Sequence, residues 1–215
     1  MSETLWWVIW LPVAYLLGSV PTGIVMAWLF RRVDIRSYGS GSSGATNVTR
    51  TLGPAAGAAV LMMDLAKGLI ATFVPWQFAD SSALTATAGL LAVAGHVFPV
   101  FARFHGGKGV ATGLGAVYVF APWAGVLATL GVLVAAATRY VSLGSMVGTL
   151  FGMGVLIALI VLDRLDPVYL VFGVGALLII ELRHAGNLVR IIRGEENRFS
   201  FAPRPKRART RVHHP

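Results

Sequence analysis

Long apolar runs alternate with short polar ones along almost the whole chain. Runs at residues 5–30, 53–76, 83–104, 141–162 and 167–182 each approach the roughly 20 apolar residues that a membrane-spanning helix needs. A further run, 110–138, is too long for one comfortable span and is interrupted by Ala121, Pro122 and Trp123. A proline in an apolar helix is either a kink or a boundary, and membranes tolerate both. The first run lacks a basic leader and a clear cleavage site, and it is longer than a signal peptide's apolar stretch, so it reads as a membrane helix. No repeat of fixed period is evident.

Charge decides how the ambiguous run divides. If 110–138 is two segments, separated near Phe120 and Pro122, the chain has about seven transmembrane helices with its N-terminus outside and its C-terminus cytoplasmic. Arg31, Arg32, Arg36, Arg50, Arg103, Lys108, Arg139, Arg183, Arg190 and Arg193 then share the cytoplasmic face, where Lys and Arg are enriched. Glu3, Asp80, Asp163, Asp166 and the lone base Arg164 are left outside. With six segments, Arg139 and the basic C-terminal residues fall opposite Arg31 and Arg32, so seven is the better reading. The fold class expected is all-α, a polytopic helical bundle in a membrane. Residues 1–198 form one membrane domain, and 199–215 a basic cytoplasmic tail expected to be disordered.

Composition supports this class. The 215 residues are 56% hydrophobic and 13% charged, with mean hydropathy +0.72, whereas a soluble domain carries about 25% charged residues. Lys and Arg outnumber Asp and Glu by 18 to 9, an excess that suits a membrane surface or an anionic substrate. There is no cysteine, which excludes disulfides, thiolate nucleophiles and cysteine-ligated metals.

The seven-segment topology brings three unusual stretches to one face. The first is GSGSSGATNVTR at 39–50. Glycines at Gly39, Gly41 and Gly44 let backbone N–H groups approach an anion, with Ser40, Ser42, Ser43 and Thr46 as further donors and Arg50 as a charge. A helix expected to begin near Thr51 would add its positive end. Alone, the string fits a flexible linker or a helix cap equally well, and no Gly-Lys-Ser/Thr follows to make it a Walker loop. The second stretch contains His105, Gly106, Gly107, Lys108 and Gly109, again glycines beside a cation suited to phosphate. By itself it is more simply a solvated turn; two such loops on one face favour anion binding. The third places His184 and Asn187 three residues apart, on one side of a helix if that segment is helical. His184 can hold or pass a proton and Asn187 can orient a hydroxyl, although a lone histidine at a membrane boundary more simply anchors a helix end. Asp64 and Lys67, also three apart within an apolar span, are read as a structural ion pair, and His96 as packed within the bundle.

Five segments in this order, YLLGSVPTG, GSGSSGATNVTRTLG, DLAKG, GHVFPVFARFHGGKGVAT and RHAGNLVRIIRGEE, resemble the bacterial acyl-phosphate:glycerol-3-phosphate acyltransferase family, the PlsY type. The resemblance covers most of the chain. It implies a seven-helix enzyme of the bacterial cell membrane, with its site on the cytoplasmic face. The reaction implied is acyl transfer from acyl phosphate to the 1-hydroxyl of glycerol 3-phosphate, with neither a cofactor nor a metal. It also implies a soluble phosphate acyltransferase as supplier of the donor. The family's site residues fall on Ser40, Thr46, Arg50, Lys108, His184 and Asn187, with Gly39, Gly41, Gly44, Asn47, Gly106 and Gly107 lining the substrates. Two positions depart from the family pattern: Ser42 stands where Asn is usual, and His105 where Lys is usual. The first loop is expected to hold acyl phosphate, and Lys108, His184 and Asn187 to position glycerol 3-phosphate. The proton acceptor is either His184 or a substrate phosphate.

Chemistry agrees with the resemblance. Phosphate is a good leaving group, so an acyl phosphate needs no acyl-enzyme, and placing the hydroxyl beside the carbonyl is worth about 7–11 kcal/mol. An organic-anion transporter is the main alternative, but it would carry its charges near mid-bilayer between inverted repeats. A structural anchor with a lipid-attracting basic tail leaves the three stretches unexplained.

Overall fold

The computed structural model describes residues 2–199, and among them there is no strand. Ten helices follow in order: α1 Glu3–Ser19, α2 Thr22–Arg31, α3 Ala45–Leu52, α4 Pro54–Phe78, α5 Ser82–Val97, α6 Val110–Phe120, α7 Pro122–Thr129, α8 Gly131–Thr138, α9 Val141–Val161 and α10 Leu170–Ile192. Of the 199–215 tail only Phe199 falls within the described residues.

Four helical units, Pro54–Phe78, Ser82–Ala102, Val141–Val161 and Pro167–Ile192, are long and apolar enough to cross a membrane, and the bent pair of α1 and α2 makes a fifth. The 110–138 run divides at Ala121 as expected, into an 11-residue α6 and the α7–α8 pair. Large apolar side chains face outward along these helices, for example Phe30, Val161 and Leu182, each at least 70% exposed. Water would penalise that surface and lipid does not.

Small residues let the helices approach closely. A Cβ on Gly18 would collide with the Ala92 backbone, and one on Gly95 with that of Tyr15, which closes α1 on α5. Gly68 and Gly115 do the same for α4 and α6, against Thr112 and Leu65. Between α5, α6, α9 and α10 lies the main core, where Phe120 stacks on Tyr169 with centroids 4.2 Å apart. A second cluster, of Ala27, Ile35, Val48 and Val60, lies among α2, the turn after it, α3 and α4.

Two expectations change. The first apolar run is broken at Val20 and Pro21, where the helix bends by 40° because Pro21 has no N–H to continue the ladder. At the break the Val20 carbonyl accepts from the Thr22 N–H at 2.9 Å and also from Lys67 Nζ at 3.2 Å. Asp64 Oδ1 in turn accepts from Lys67 Nζ at 2.9 Å and from Thr22 Oγ1 at 2.6 Å, with His96 Nδ1 3.5 Å away. The structural reading of the Asp64–Lys67 pair therefore holds, and the pair also seals the break. The second change is in α3, which begins at Ala45 rather than near Thr51; Gly53, at φ +99°, then separates it from α4. The glycine-rich stretch is thus half loop and half helix.

Removing one partner of a buried pair leaves an uncompensated charge, at about 3–5 kcal/mol. Asp64→Ala should therefore lower the thermal midpoint in detergent more than Asp64→Leu combined with Lys67→Met. Equal midpoints for the two variants would refute the role given to the pair.

Candidate active site

The first loop is organised by one amide. Asn47, buried in the first turns of α3, accepts from the Ser40 N–H at 3.0 Å and donates through Nδ2 to the carbonyls of Ile35, Tyr38 and Ser42 at 3.2, 3.1 and 2.8 Å. With its polar atoms committed to the loop's own backbone, Asn47 shapes the loop. Gly39 and Gly41 adopt φ of +50° and +76°, conformations that L side chains seldom take. Ser42 Oγ accepts from the Gly44 N–H at 3.3 Å, a turn in which an asparagine oxygen serves equally. The departure at position 42 therefore preserves local geometry. Ser40 is exposed, and α3 begins after Gly44 without a side-chain cap, with Thr46 in its first turn.

The second loop does not repeat the nest. After α5, Arg103 and Phe104 take left-handed conformations, φ 53° and 60°, and turn the chain back. The Gly106 and Gly107 N–H groups then donate to the carbonyls of Val97 and His96, at 3.2 and 3.1 Å, closing the C-terminal end of α5. Neither N–H is left for an anion, so the two glycines do not form an anion nest. Their lack of side chains serves packing instead: a Cβ on Gly107 would strike the His96 ring, and one on Gly106 the His96 carbonyl. His105 is exposed and its Nδ1 pairs with the Arg103 carbonyl at 2.5 Å. What the loop delivers to the site is Lys108, just before α6.

The third stretch is helical through Ile192, so His184 and Asn187 do share a face of α10 and both are buried. The His184 Nδ1 lies 2.8 Å from the Ile180 carbonyl. A carbonyl only accepts, so Nδ1 carries the hydrogen and Nε2 of the neutral ring is the free acceptor. Asn187 Oδ1 accepts from Lys108 Nζ at 2.6 Å, joining α10 to the second loop.

Beyond α10, Gly194 at φ +70° turns residues 195–199 back across the bundle. Glu196 Oε1 accepts from Asn187 Nδ2 at 2.6 Å and Ser142 Oγ at 2.9 Å, and Oε2 accepts from Arg190 Nε at 2.8 Å. Asn197 O accepts from Arg50 Nη2 at 3.1 Å, and Phe199 exchanges two hydrogen bonds with Arg139. Arg50, Lys108, His184 and Asn187 thus come from three stretches to one place. Sequence reasoning missed Ser142, Arg190 as a site residue, and Glu196. The available signal was an acidic pair closing the otherwise basic stretch RIIRGEE.

The electrostatics follow from these neighbours. Burial pushes the Lys108 ammonium down to about 8; Glu196 opposes that shift, and the charges of Arg190, Arg183 and Arg50 add to it. Burial acts to raise the Glu196 carboxyl, but hydrogen bonds from Asn187, Arg190 and Ser142 outweigh it and hold the group below its ordinary value. Beside this cluster a cavity of about 720 Å³ opens between Gly41 and Gly106, lined by Arg36, Arg103 and Arg183 and by Phe101 and Phe104. A cavity that is cationic and aromatic together fits an anionic head on an apolar tail.

The family described as glycerol-3-phosphate acyltransferase matches residues 8–194. A glycerol-3-phosphate acyltransferase of Enterococcus faecalis is 38% identical over 214 residues, covering 95% of this chain and 97% of the relative. That of Symbiobacterium thermophilum is 42% identical over 194 residues, covering 89% and 94%. The crystal structure of PlsY (YgiH), an integral membrane glycerol 3-phosphate acyltransferase, in its glycerol 3-phosphate form, superposes with a TM-score of 0.82 at 38% identity, covering 90% of this chain and 96% of that one. Its lysophosphatidic acid form superposes with a TM-score of 0.79. With the family matched over nearly its whole helical part, this chain belongs to the glycerol-3-phosphate acyltransferase family.

Proposed function

We propose that this protein transfers a fatty acyl group from acyl phosphate to the 1-hydroxyl of sn-glycerol 3-phosphate, giving 1-acylglycerol 3-phosphate, a lysophosphatidic acid, and inorganic phosphate. The observation that carries the reading is the gathering of Arg50, Lys108, His184 and Asn187: Lys108 donates to Asn187, and the charge of Arg50 acts on Lys108 and that of Lys108 on His184. The family's name gives the acceptor and the bond formed. Acyl phosphate as donor rests on the chemistry: it is already activated, so transfer to the hydroxyl needs no acyl-enzyme.

The hydroxyl oxygen attacks the acyl carbonyl carbon, the carbon–oxygen bond to phosphate breaks, and the hydroxyl proton is released. Lys108 and Arg50 balance the charge of the two phosphates, and Asn187 and His184 orient the acceptor. With its hydrogen on Nδ1, His184 presents Nε2 to the hydroxyl as proton acceptor. In the first loop, Ser40 and Thr46 with Gly39, Gly41 and Gly44 receive the donor's phosphate, and Asn47 keeps that loop in shape. The Arg- and Phe-lined cavity beside Gly41 suits the entry of a molecule with an anionic head and an apolar chain.

The breaks at Pro21 and Pro122 group the helices into seven apolar units: α1–α2, α4, α5, α6, α7–α8, α9 and α10. The excess of Lys and Arg on the loops then favours an N-terminus outside and a site on the cytoplasmic face of a bacterial inner membrane. A soluble enzyme that makes acyl phosphate would deliver the donor there.

Purified protein in detergent, given acyl phosphate and glycerol 3-phosphate, should release phosphate in step with lysophosphatidic acid. Absence of release, with Lys108→Ala indistinguishable from wild type, would overturn the reading. His184→Gln should reduce kcat about 100-fold, within the usual range for loss of a proton acceptor; an unchanged kcat with only a raised KM for glycerol 3-phosphate assigns the proton to a substrate phosphate. Above about pH 8 Lys108 loses its proton and its charge, so kcat/KM for the anionic acceptor should fall as pH rises through that value. Lys108→Arg, whose guanidinium stays charged, should abolish that alkaline fall even if its maximal rate is lower.

A further inference from the structure

We infer that Glu196 is a positioning residue for acyl transfer: its carboxylate fixes the orientation of the Asn187 amide and, through it, the place of the Lys108 ammonium. The inference deepens the proposed function and rests on it.

Lys108 Nζ can only donate, so the Asn187 atom 2.6 Å from it is the oxygen. The Asn187 NH2 group is then left facing Glu196, and an ionised carboxylate, which only accepts, is the partner that suits it. A flipped amide would set NH2 against an ammonium and an oxygen against a carboxylate, so Lys108 and Glu196 together permit one orientation. Glu196 is itself held from two further sides, by Ser142 at the start of α9 and by Arg190 one turn beyond Asn187. Its side chain is 5% exposed although it lies outside the helices. The returning segment is also fastened at Asn197 to Arg50 and at Phe199 to Arg139. One carboxylate therefore ties together α9, α10 and the loop that carries Lys108.

A glutamine at 196 is nearly isosteric but offers one oxygen and one NH2. The NH2 must face either Arg190 or the Asn187–Ser142 pair; Arg190 and the Asn187 NH2 only donate, so the contact to one of them is lost, and the hold on the Asn187 amide is weakened either directly or through the loosened carboxamide. The change also removes a negative charge from among the groups that face Lys108. These are Glu196, Arg190, Arg183 and Arg50, together with the His184 ring. With only cations and a neutral ring left, the ammonium loses its proton at lower pH.

The test compares Glu196→Gln and Glu196→Asp with wild type in steady-state kinetics across the alkaline limb. Glu196→Gln should raise KM for glycerol 3-phosphate about tenfold, the scale of one charge-assisted hydrogen bond, with KM for acyl phosphate unchanged. The alkaline limb of kcat/KM should move to lower pH, and Glu196→Asp, which keeps the charge, should return that limb toward the wild-type position. Wild-type KM for glycerol 3-phosphate with an unmoved limb would overturn the inference. So would a parallel rise in both KM values with a lowered thermal midpoint, which marks general loosening. Wild-type turnover in the same assay judges the proposed function separately. If wild type does not turn over, calorimetric binding of glycerol 3-phosphate to the wild-type and glutamine proteins carries the comparison, with weaker binding by Glu196→Gln expected and equal binding overturning it.

Discussion

In a bilayer every backbone polar group must find a partner within the protein, and this fold turns on how that demand is met where its first span breaks. Pro21 interrupts the ladder between α1 and α2, and the Val20 carbonyl there accepts both from the Thr22 N–H and from Lys67 of α4, which is neutralised by Asp64, which accepts from the Thr22 hydroxyl just past the break. His96 lies beside the same carboxylate, with its ring against Gly107. The first span, the fourth and fifth helices and the start of the Lys108 loop are therefore joined through one buried polar cluster. Polar groups at this depth usually mark function. Here they hold the scaffold on which the reacting groups are placed.

The site itself is built in a different way on each side. The first loop relies on fixed geometry: positive-φ glycines, an uncapped helix start and an amide hub. The second and third stretches rely on mobile charge held in place, a lysine clasped by an asparagine that is clasped by a glutamate. Fixed dipoles suit a leaving group whose position must not vary. A side-chain cluster whose protonation depends on its neighbours suits an acceptor that arrives from water and whose hydroxyl must give up a proton.

Much of this was legible in the sequence. The run lengths gave the spanning helices, the proline at 122 divided the long run, and the three-residue spacings of Asp64 with Lys67 and His184 with Asn187 gave one pair and one shared face. The break at Pro21 was not read, because the apolar run continues through it and hydropathy does not register a missing N–H. The direction of the Gly106 and Gly107 N–H groups was not legible, because glycine composition is the same whether a loop's N–H groups point at a ligand or back at a helix end. Glu196 was missed because its partners lie on α9 and α10, and only the turn at Gly194 brings it back to them.

The amide of Asn47 has a consequence for how this loop can change over time. Its bonds reach the N–H of residue 40 and the carbonyls of residues 35, 38 and 42, so it reads main chain and is indifferent to the side chains there. The information that shapes the loop is concentrated at one position plus two glycines. Residue identities around them are less constrained by that amide, although residue 42 still supplies an oxygen to the Gly44 N–H. Such an arrangement separates the inheritance of a binding shape from the inheritance of the letters that surround it.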